Sequence, residues 1–326
     1  MTNGSQAKVV KELGRGGQGI VYLVEVGGQK MALKWYFNNM GNWFYSNLEE
    51  NISKGAPSEA FLWPEYLTTK QKGTYGYVMK LRPKDYYEFG QYLLARAKFK
   101  SFEAMVNAAM KICEGFKALH LSGLSYQDLN DGGFFIDTRS GDVLVCDCDN
   151  VAADGDNFGI GGMPGFMAPE VVRGIAKPDV LTDRYSLAVV LFKLFFRGDP
   201  LEGSKVLQCV VMTEENDLIH YGKDPVFIYD PNNASNRPVN GVHDNVIKLW
   251  KIYPDFIREA FTLSFTYGIQ EPNARIIEKS WIQMLIQLKL DIIHCSCGKT
   301  AFSSAFEKTG EHTCLLYTSP SPRDYA

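Results

Sequence analysis

A glycine run followed by a strand rather than a helix constrains this chain more than any other feature. Val9 to Gly14 reads as a strand, Gly14-Arg-Gly-Gly-Gln-Gly19 as a tight turn, and Ile20 to Val26 as a second strand. Glycine lets backbone N–H groups approach phosphate oxygens where a Cβ would intrude. Folds built on a P-loop or a dinucleotide fingerprint place a helix directly after such glycines, so the β-branched run at 20–26 argues against both. What remains is a glycine-rich hairpin, either covering phosphates or simply turning the chain.

The next segments favour the first choice. Gly27-Gly-Gln-Lys30 turns into Met31-Ala-Leu-Lys-Trp-Tyr36, an alternating strand with Lys34 between apolar neighbours. A strand lysine is ordinarily a solvated face residue. At this distance behind a phosphate-covering hairpin it is placed to meet α- and β-phosphates. Asn42 to Lys54 has helical spacing through Trp43, Leu48 and Ile52. It offers Glu49 or Glu50 as a partner for Lys34, with Glu49 preferred. Strand-like runs Phe61–Leu67 and Thr74–Leu81 follow, and Lys80-Leu-Arg-Pro83 reads as a connector.

After the connector the pattern turns helical, over Tyr86–Lys98 and Ser101–Ser122, with Gly123 as a stop. Leu124–Asp137 and Asp142–Asp147 then read as short strands around a polar loop. That loop carries Asp128, and the last strand ends in Asp147. Phosphoryl transfer needs such a pair, one carboxylate to orient a hydroxyl and one to hold the metal bridging the phosphates. Alone, the stretch is an ordinary turn. Further on lie Gly162-Met-Pro-Gly-Phe-Met-Ala-Pro-Glu170 and an apolar helix over Thr182–Phe192 with a capping-type start.

Composition removes other classes. A chain of 326 residues with 45% hydrophobic content can bury a large core. A formal net charge of −3 supplies no basic excess for nucleic acid or a polybasic membrane contact. The first eight residues lack the apolar core of a signal peptide. The most apolar helical run, Tyr185–Phe196, is interrupted by Lys193 and too short to span a bilayer. Seven scattered cysteines suit reduced thiols in a cytoplasm rather than a disulfide framework.

Taken in order, these motifs resemble a eukaryotic-type protein kinase. They are similar in particular to bacterial kinases of tellurium-resistance-type gene clusters, found beside phosphatase-like and von Willebrand-domain proteins. That closer resemblance rests on Phe61-Leu-Trp-Pro64, Tyr126-Gln-Asp128, Cys146-Asp-Cys-Asp-Asn-Val151, Gly165-Phe-Met-Ala-Pro-Glu170, Thr182-Asp-Arg184, Pro200-Leu-Glu-Gly203, Pro225-Val-Phe-Ile-Tyr-Asp-Pro231 and Ser235-Asn-Arg-Pro238. It implies a two-lobed α+β fold over residues 8–290, with a small β-rich N-lobe (8–82) and a larger α-helical C-lobe (83–290). It implies that Gly14, Gly16, Gly19 and Val21 cover ATP, that Lys34 binds its phosphates and pairs with Glu49, and that Met79, Lys80 and Leu81 line the adenine side. It further implies that Asp128 orients the acceptor hydroxyl and that Asp147 holds magnesium or manganese. Glu170, Asp183 and Arg275 would be structural, with Glu170 paired to Arg275. The expected activity is γ-phosphate transfer from ATP to Ser/Thr of a protein substrate, with the phosphatase-like or von Willebrand-type neighbours as candidate partners.

Three departures qualify this. The family's arginine before the loop aspartate is Gln127, so no contact there reads an activating phosphate. From Asp147 to Glu170 there is no Ser, Thr or Tyr, which points to constitutive activity or control by a partner. The family's second metal-binding asparagine is Gly133, leaving Asn130 or Asp131 nearby, or Asp149, as substitutes. An ATP-binding scaffold without efficient transfer, or a small-molecule kinase, are the alternative expectations. Residues 204–243 read as a surface insertion without chemistry. His294-Cys-Ser-Cys-Gly298 resembles half a zinc ribbon in a stub over 291–313; with no second Cys pair, zinc is not expected. Residues 314–326 resemble a translated adapter, so a native chain is expected to continue past about residue 313.

Overall fold

The computed structural model describes residues 1–157, 162–209, 211–294 and 300–303. The first part is an antiparallel sheet of β1 (Ala7–Arg15), β2 (Gly19–Val26), β3 (Gln29–Tyr36), β4 (Pro64–Leu67) and β5 (Gly76–Lys80), in the order β1-β2-β3-β5-β4. Helix α1 (Asn42–Lys54) interrupts the strand order and packs Phe44 and Leu48 into a core with Tyr36, Tyr75, Tyr77 and Met79. Only part of the expected Phe61–Leu67 strand joins this sheet. Phe61 instead bridges Val145 of the second part, with Leu62 N–H to Val145 O at 2.8 Å and Val145 N–H to Ala60 O at 2.7 Å. The strand that leads to Asp147 is thereby hydrogen-bonded to the N-terminal half.

The second part is helical. The expected helix over 86–98 is a strand, β6 (Tyr87–Glu88), then one turn, α2 (Phe89–Leu93). The open edge of β8 (Phe134–Asp137) takes up β6, and β8 pairs on its other side with β9 (Asp142–Val145). α3 (Phe102–Leu121) begins at Ser101, whose side chain accepts from Ala104 N–H. β7 (Leu124–Ser125) pairs with β10 (Ala152–Ala153) on either side of the loop segments, and α4 (Pro169–Val172) follows. α5 (Val180–Phe196) starts with a capping box between Asp179 and Thr182 and is buried nearly all round, as the apolar residues on every face of its Leu187–Phe196 portion require.

Residues 204–243 are only in part the surface insertion expected from their polarity: residues 232–235 are exposed, but other parts are core. After α6 (Glu214–Asp217) and a π-helical turn, Tyr221, Val226, Phe227 and Ile228 are buried, and Phe227 packs on Phe192. Asn236 ties the segment down by donating to the carbonyls of Leu201 and Val226, both at 2.7 Å. The chain then forms α7 (Asp244–Ile252), α8 (Asp255–Phe265), α9 (Tyr267–Gln270) and α10 (Glu278–Leu290). β11 (Ile292–His294) pairs with β12 (Thr300–Phe302), which buries Phe302 between Phe102 and Tyr253. Cys295 and Cys297 lie outside the described residues. No described helix is long and apolar enough to cross a membrane.

Candidate active site

The period of two along β3 puts Lys34 and Tyr36 on one face, and the register sets Lys34 opposite Tyr77 of β5. All three point at the turn after β9. Lys34 Nζ lies 2.8 Å from Asp149 Oδ2 and 3.3 Å from Asp147 Oδ1. Tyr36 donates to Asp149 Oδ2 at 2.6 Å and Tyr77 to Asp149 Oδ1 at 3.3 Å. Burial works against a charged Lys34, but the carboxylates of Asp149 and then Asp147 outweigh it and raise its pKa. Asp149 is lowered in return: its own burial opposes ionisation, and Lys34 overcomes it.

Two expectations fail here. Glu49 does not pair with Lys34. It is exposed on α1, and Glu50 pairs with Lys54 at 2.7 Å. The residues of α1 that reach the loop are Asn47 and Asn51, each donating to Val151 O at 2.8 Å. Nor is Asp149 free to hold a metal, because its side chain is 0% exposed and both oxygens accept hydrogen bonds.

Asp147 is different. It adopts left-handed backbone angles (φ 53°, ψ 42°), and its side chain remains 49% exposed. Beside it, Asn150 donates to Asp128 Oδ2 at 3.2 Å, while its own Oδ1 is buried with no hydrogen-bond partner. A half-open carboxylate and an orphaned amide oxygen are hard donors of the kind magnesium and manganese take. Asn130 is less suited, since its Oδ1 accepts from Gly132 N–H at 2.9 Å and its Nδ2 faces Asp128. Among the described residues no three His, Cys, Asp or Glu side chains gather as a metal cluster. Asp128 itself has a raised pKa, chiefly from burial, with the nearby Asp147 and Asp149 charges adding and Asn130 opposing.

The glycine at 133 has a steric reason. An ideal Cβ there would lie 3.2 Å from the Tyr126 hydroxyl and 3.4 Å from Asn130 O. Tyr126, fully buried, donates that hydroxyl to Cys146 O just before Asp147. The tyrosine thus occupies the space a side chain at 133 would need.

An apolar slot flanks these polar groups. Val21, Ala32, Met79 and Leu81 cluster with Leu144, Phe135 and Cys146 from the helical part. Lys80 points outward. At Gly14 and Gly16 an added Cβ would meet nothing within 4 Å, whereas at Gly19 it would lie 2.3 Å from Trp35 O. Gly19 is therefore demanded by its neighbour strand.

Around the site, Gln127 (φ 73°) donates to Asp156 O and accepts from Asn157 Nδ2 at 3.0 Å. A neutral amide holds the segment leaving the site. Asp183 accepts the backbone N–H groups of Tyr126 at 2.6 Å and Gln127 at 2.9 Å. Arg275 donates to both oxygens of Glu170, at 2.7 and 2.9 Å. Sequence reasoning missed Tyr36, Tyr77, Asn150 and the anchoring use of Asp149. The alternation of β3 was the one available hint, since it already put Tyr36 on the face of Lys34.

A β-sheet lobe over a helical lobe, with a lysine and aspartates converging between them, defines a two-lobed phosphotransferase fold. Residues 7–249 match the family "Protein kinase domain", and the chain belongs to that family. Protein kinases use ATP and a divalent metal in general. The chain is similar to mouse protein kinase C delta type, 30% identical over 112 residues, which is 33% of this chain and 16% of that protein. It is also similar to a probable serine/threonine-protein kinase of Dictyostelium discoideum, 26% identical over 218 residues, which is 66% of this chain and 15% of that protein. The chain thus spans about one sixth of the length of these relatives.

Proposed function

We propose that the chain is an ATP-dependent protein kinase acting on Ser/Thr of a protein substrate, of the kind found in bacterial tellurium-resistance-type gene clusters. The carrying observation is the convergence of Lys34, Asp147 and Asp128: Lys34 lies 3.3 Å from Asp147, and Asn150, three residues on, contacts Asp128 at 3.2 Å. ATP would lie with its base in the slot of Val21, Met79, Leu81 and Leu144 and its phosphates under Gly14 and Gly16. Lys34 would meet the α- and β-phosphates. Asp128 would accept the substrate hydroxyl's proton, and its raised pKa suits that task. Asp147 and Asn150 would hold magnesium or manganese, which supplies charge neutralisation on the phosphates when bound.

Gln127 and the lack of Ser, Thr and Tyr from Asp147 to Glu170 support a kinase set without phosphorylation of that segment, either constitutive or controlled by a partner such as phosphatase-like or von Willebrand-type proteins, and a cytoplasmic location belongs to the same proposal. The kinase domain is assigned to 8–290 and a zinc-ribbon-like segment to 291–313. The Ser/Thr preference is supported by the name of the Dictyostelium discoideum relative. A second reading, an ATP-binding scaffold, is favoured by Gly133 and opposed by the orphaned oxygen of Asn150.

The test is γ-phosphate transfer from labelled ATP to generic protein acceptors and the neighbouring gene products. The Asp128→Asn variant is expected to lose about 10³-fold in rate with ATP binding retained. Unchanged transfer by that variant overturns the assignment. A wild type that binds ATP and transfers nothing establishes the scaffold reading.

A further inference from the structure

We propose that Asp149, a residue of the turn after β9, is the positioning residue that holds Lys34 ready for nucleotide phosphates, in the role the resemblance gave to a glutamate of α1. The inference rests on the phosphotransfer reading of the cleft. Three donors from one sheet face converge on this carboxylate: Lys34 at 2.8 Å, Tyr36 at 2.6 Å and Tyr77 at 3.3 Å. Such charge-assisted bonds between buried groups are short and directional, and they fix the geometry of both partners. Glu49 has no part in this, being exposed one helical face away.

The neighbouring carboxylate cannot serve equally. Asp147 contacts Lys34 at the longer distance of 3.3 Å and stays half exposed, so it is free to turn toward a metal when nucleotide enters. Asp149, sealed and held by two tyrosine hydroxyls, stays with the lysine. One short turn therefore carries both the lysine's anchor and the metal-side carboxylate. Among the described residues, helix α1 hydrogen-bonds to that turn through Asn47 and Asn51 on Val151 O. Its position bears on Lys34 through the backbone of the turn, the described ion pairs of Lys34 being with Asp147 and Asp149.

The experiment compares binding of a non-hydrolysable ATP analogue with binding of adenosine, by calorimetry in magnesium, for wild type, Asp149→Asn and Glu49→Ala. Asp149→Asn is expected to weaken the analogue about 10–100-fold, the range for a lost hydrogen bond to a charged group, with adenosine within about twofold. Glu49→Ala is expected to leave both within about twofold of wild type. A purely structural role would weaken both ligands together, and that outcome overturns the proposal. So does an analogue affinity untouched by Asp149→Asn, or one lowered as much by Glu49→Ala. Should Asp149→Asn fail to fold, the Tyr36→Phe/Tyr77→Phe variant keeps both charges and loosens the anchor. It is then expected to weaken the analogue severalfold and spare adenosine, and no change there overturns the proposal. Neither measurement needs turnover. An inactive wild type that behaves this way in binding would sink the kinase reading alone.

Discussion

Two buried charge clusters in this molecule use similar side chains to opposite ends. In the cleft, Lys34 meets Asp149 and Asp147, and acceptor capacity is left over: Asp147 is half exposed and Asn150 Oδ1 has no partner. In the helical lobe, His120 is clasped between Asp183 at 3.1 Å and Glu278 at 2.9 Å, with Arg184 on Glu278 at 2.9 Å. Nearby, Arg275 is saturated by Glu170 and by the carbonyls of Gly268 and Leu181. The second cluster spends its capacity internally and ties α3, the loop before Asp128, α5 and α10 into one frame. Leftover capacity beside a sealed anchor distinguishes a ligand site from a structural ion network, although burial and charge alone do not.

The largest effect that would separate the two belongs to the frame. Arg275→Ala strands Glu170 in the interior, and a loss of about 3–5 kcal/mol in denaturant unfolding is expected. Nucleotide affinity of the folded fraction should be unchanged. A variant of normal stability that binds ATP poorly would erase the distinction between the clusters.

Next in size is the pH response of His120. Burial opposes its charge, but the bonds to Asp183 and Glu278 raise its pKa to about 9. Because the folded value lies above the unfolded one of about 6.5, its stabilisation is complete at low pH and disappears as pH rises through 9. Roughly 2–3 kcal/mol should be lost between pH 7 and 10, and a His120→Gln variant should lack that slope. Parallel stability curves for the two proteins would show that His120 contributes no such clasp. At the acid end the same clasp fails as pH falls below 4.5 toward the Glu278 value of about 2, which burial opposes and His120 and Arg184 bring down.

The smallest effect sharpens the boundary of the cleft. Gly133→Asn should cost about 1–3 kcal/mol by crowding the Tyr126 hydroxyl, and adding Tyr126→Phe should recover part of it. Thermal melts of the single and double variants check this. Equal melts for Gly133→Asn and wild type would mean the tyrosine does not fill that space.

Much of the fold and part of the site was legible because it depends on short-range pattern. The alternation through Lys34, the glycines at 14–19 and the capped apolar run before Phe196 each follow from local geometry. So did the order that set Asp128 before Asp147. The departures arose where a distant partner decided. Phe61 leaves the first sheet because Ala60 and Leu62 bond to Val145, and the segment around Phe227 is core because Phe192 receives it. Glu49 was the reasonable partner for Lys34 by spacing alone. Helical spacing puts Asn47 and Asn51 on the face of Phe44 and Leu48, but only the fold shows that their amides meet Val151 O there.

By itself, the amino-acid order determined most of the elements and which acids and base could meet phosphate, since those follow from periodicity and side-chain chemistry. The tertiary structure alone decided which carboxylate holds the lysine and which stays open. Asp147 and Asp149 are chemically the same side chain two residues apart. One is sealed by hydroxyls from strands more than 70 residues away, and the other is left facing solvent.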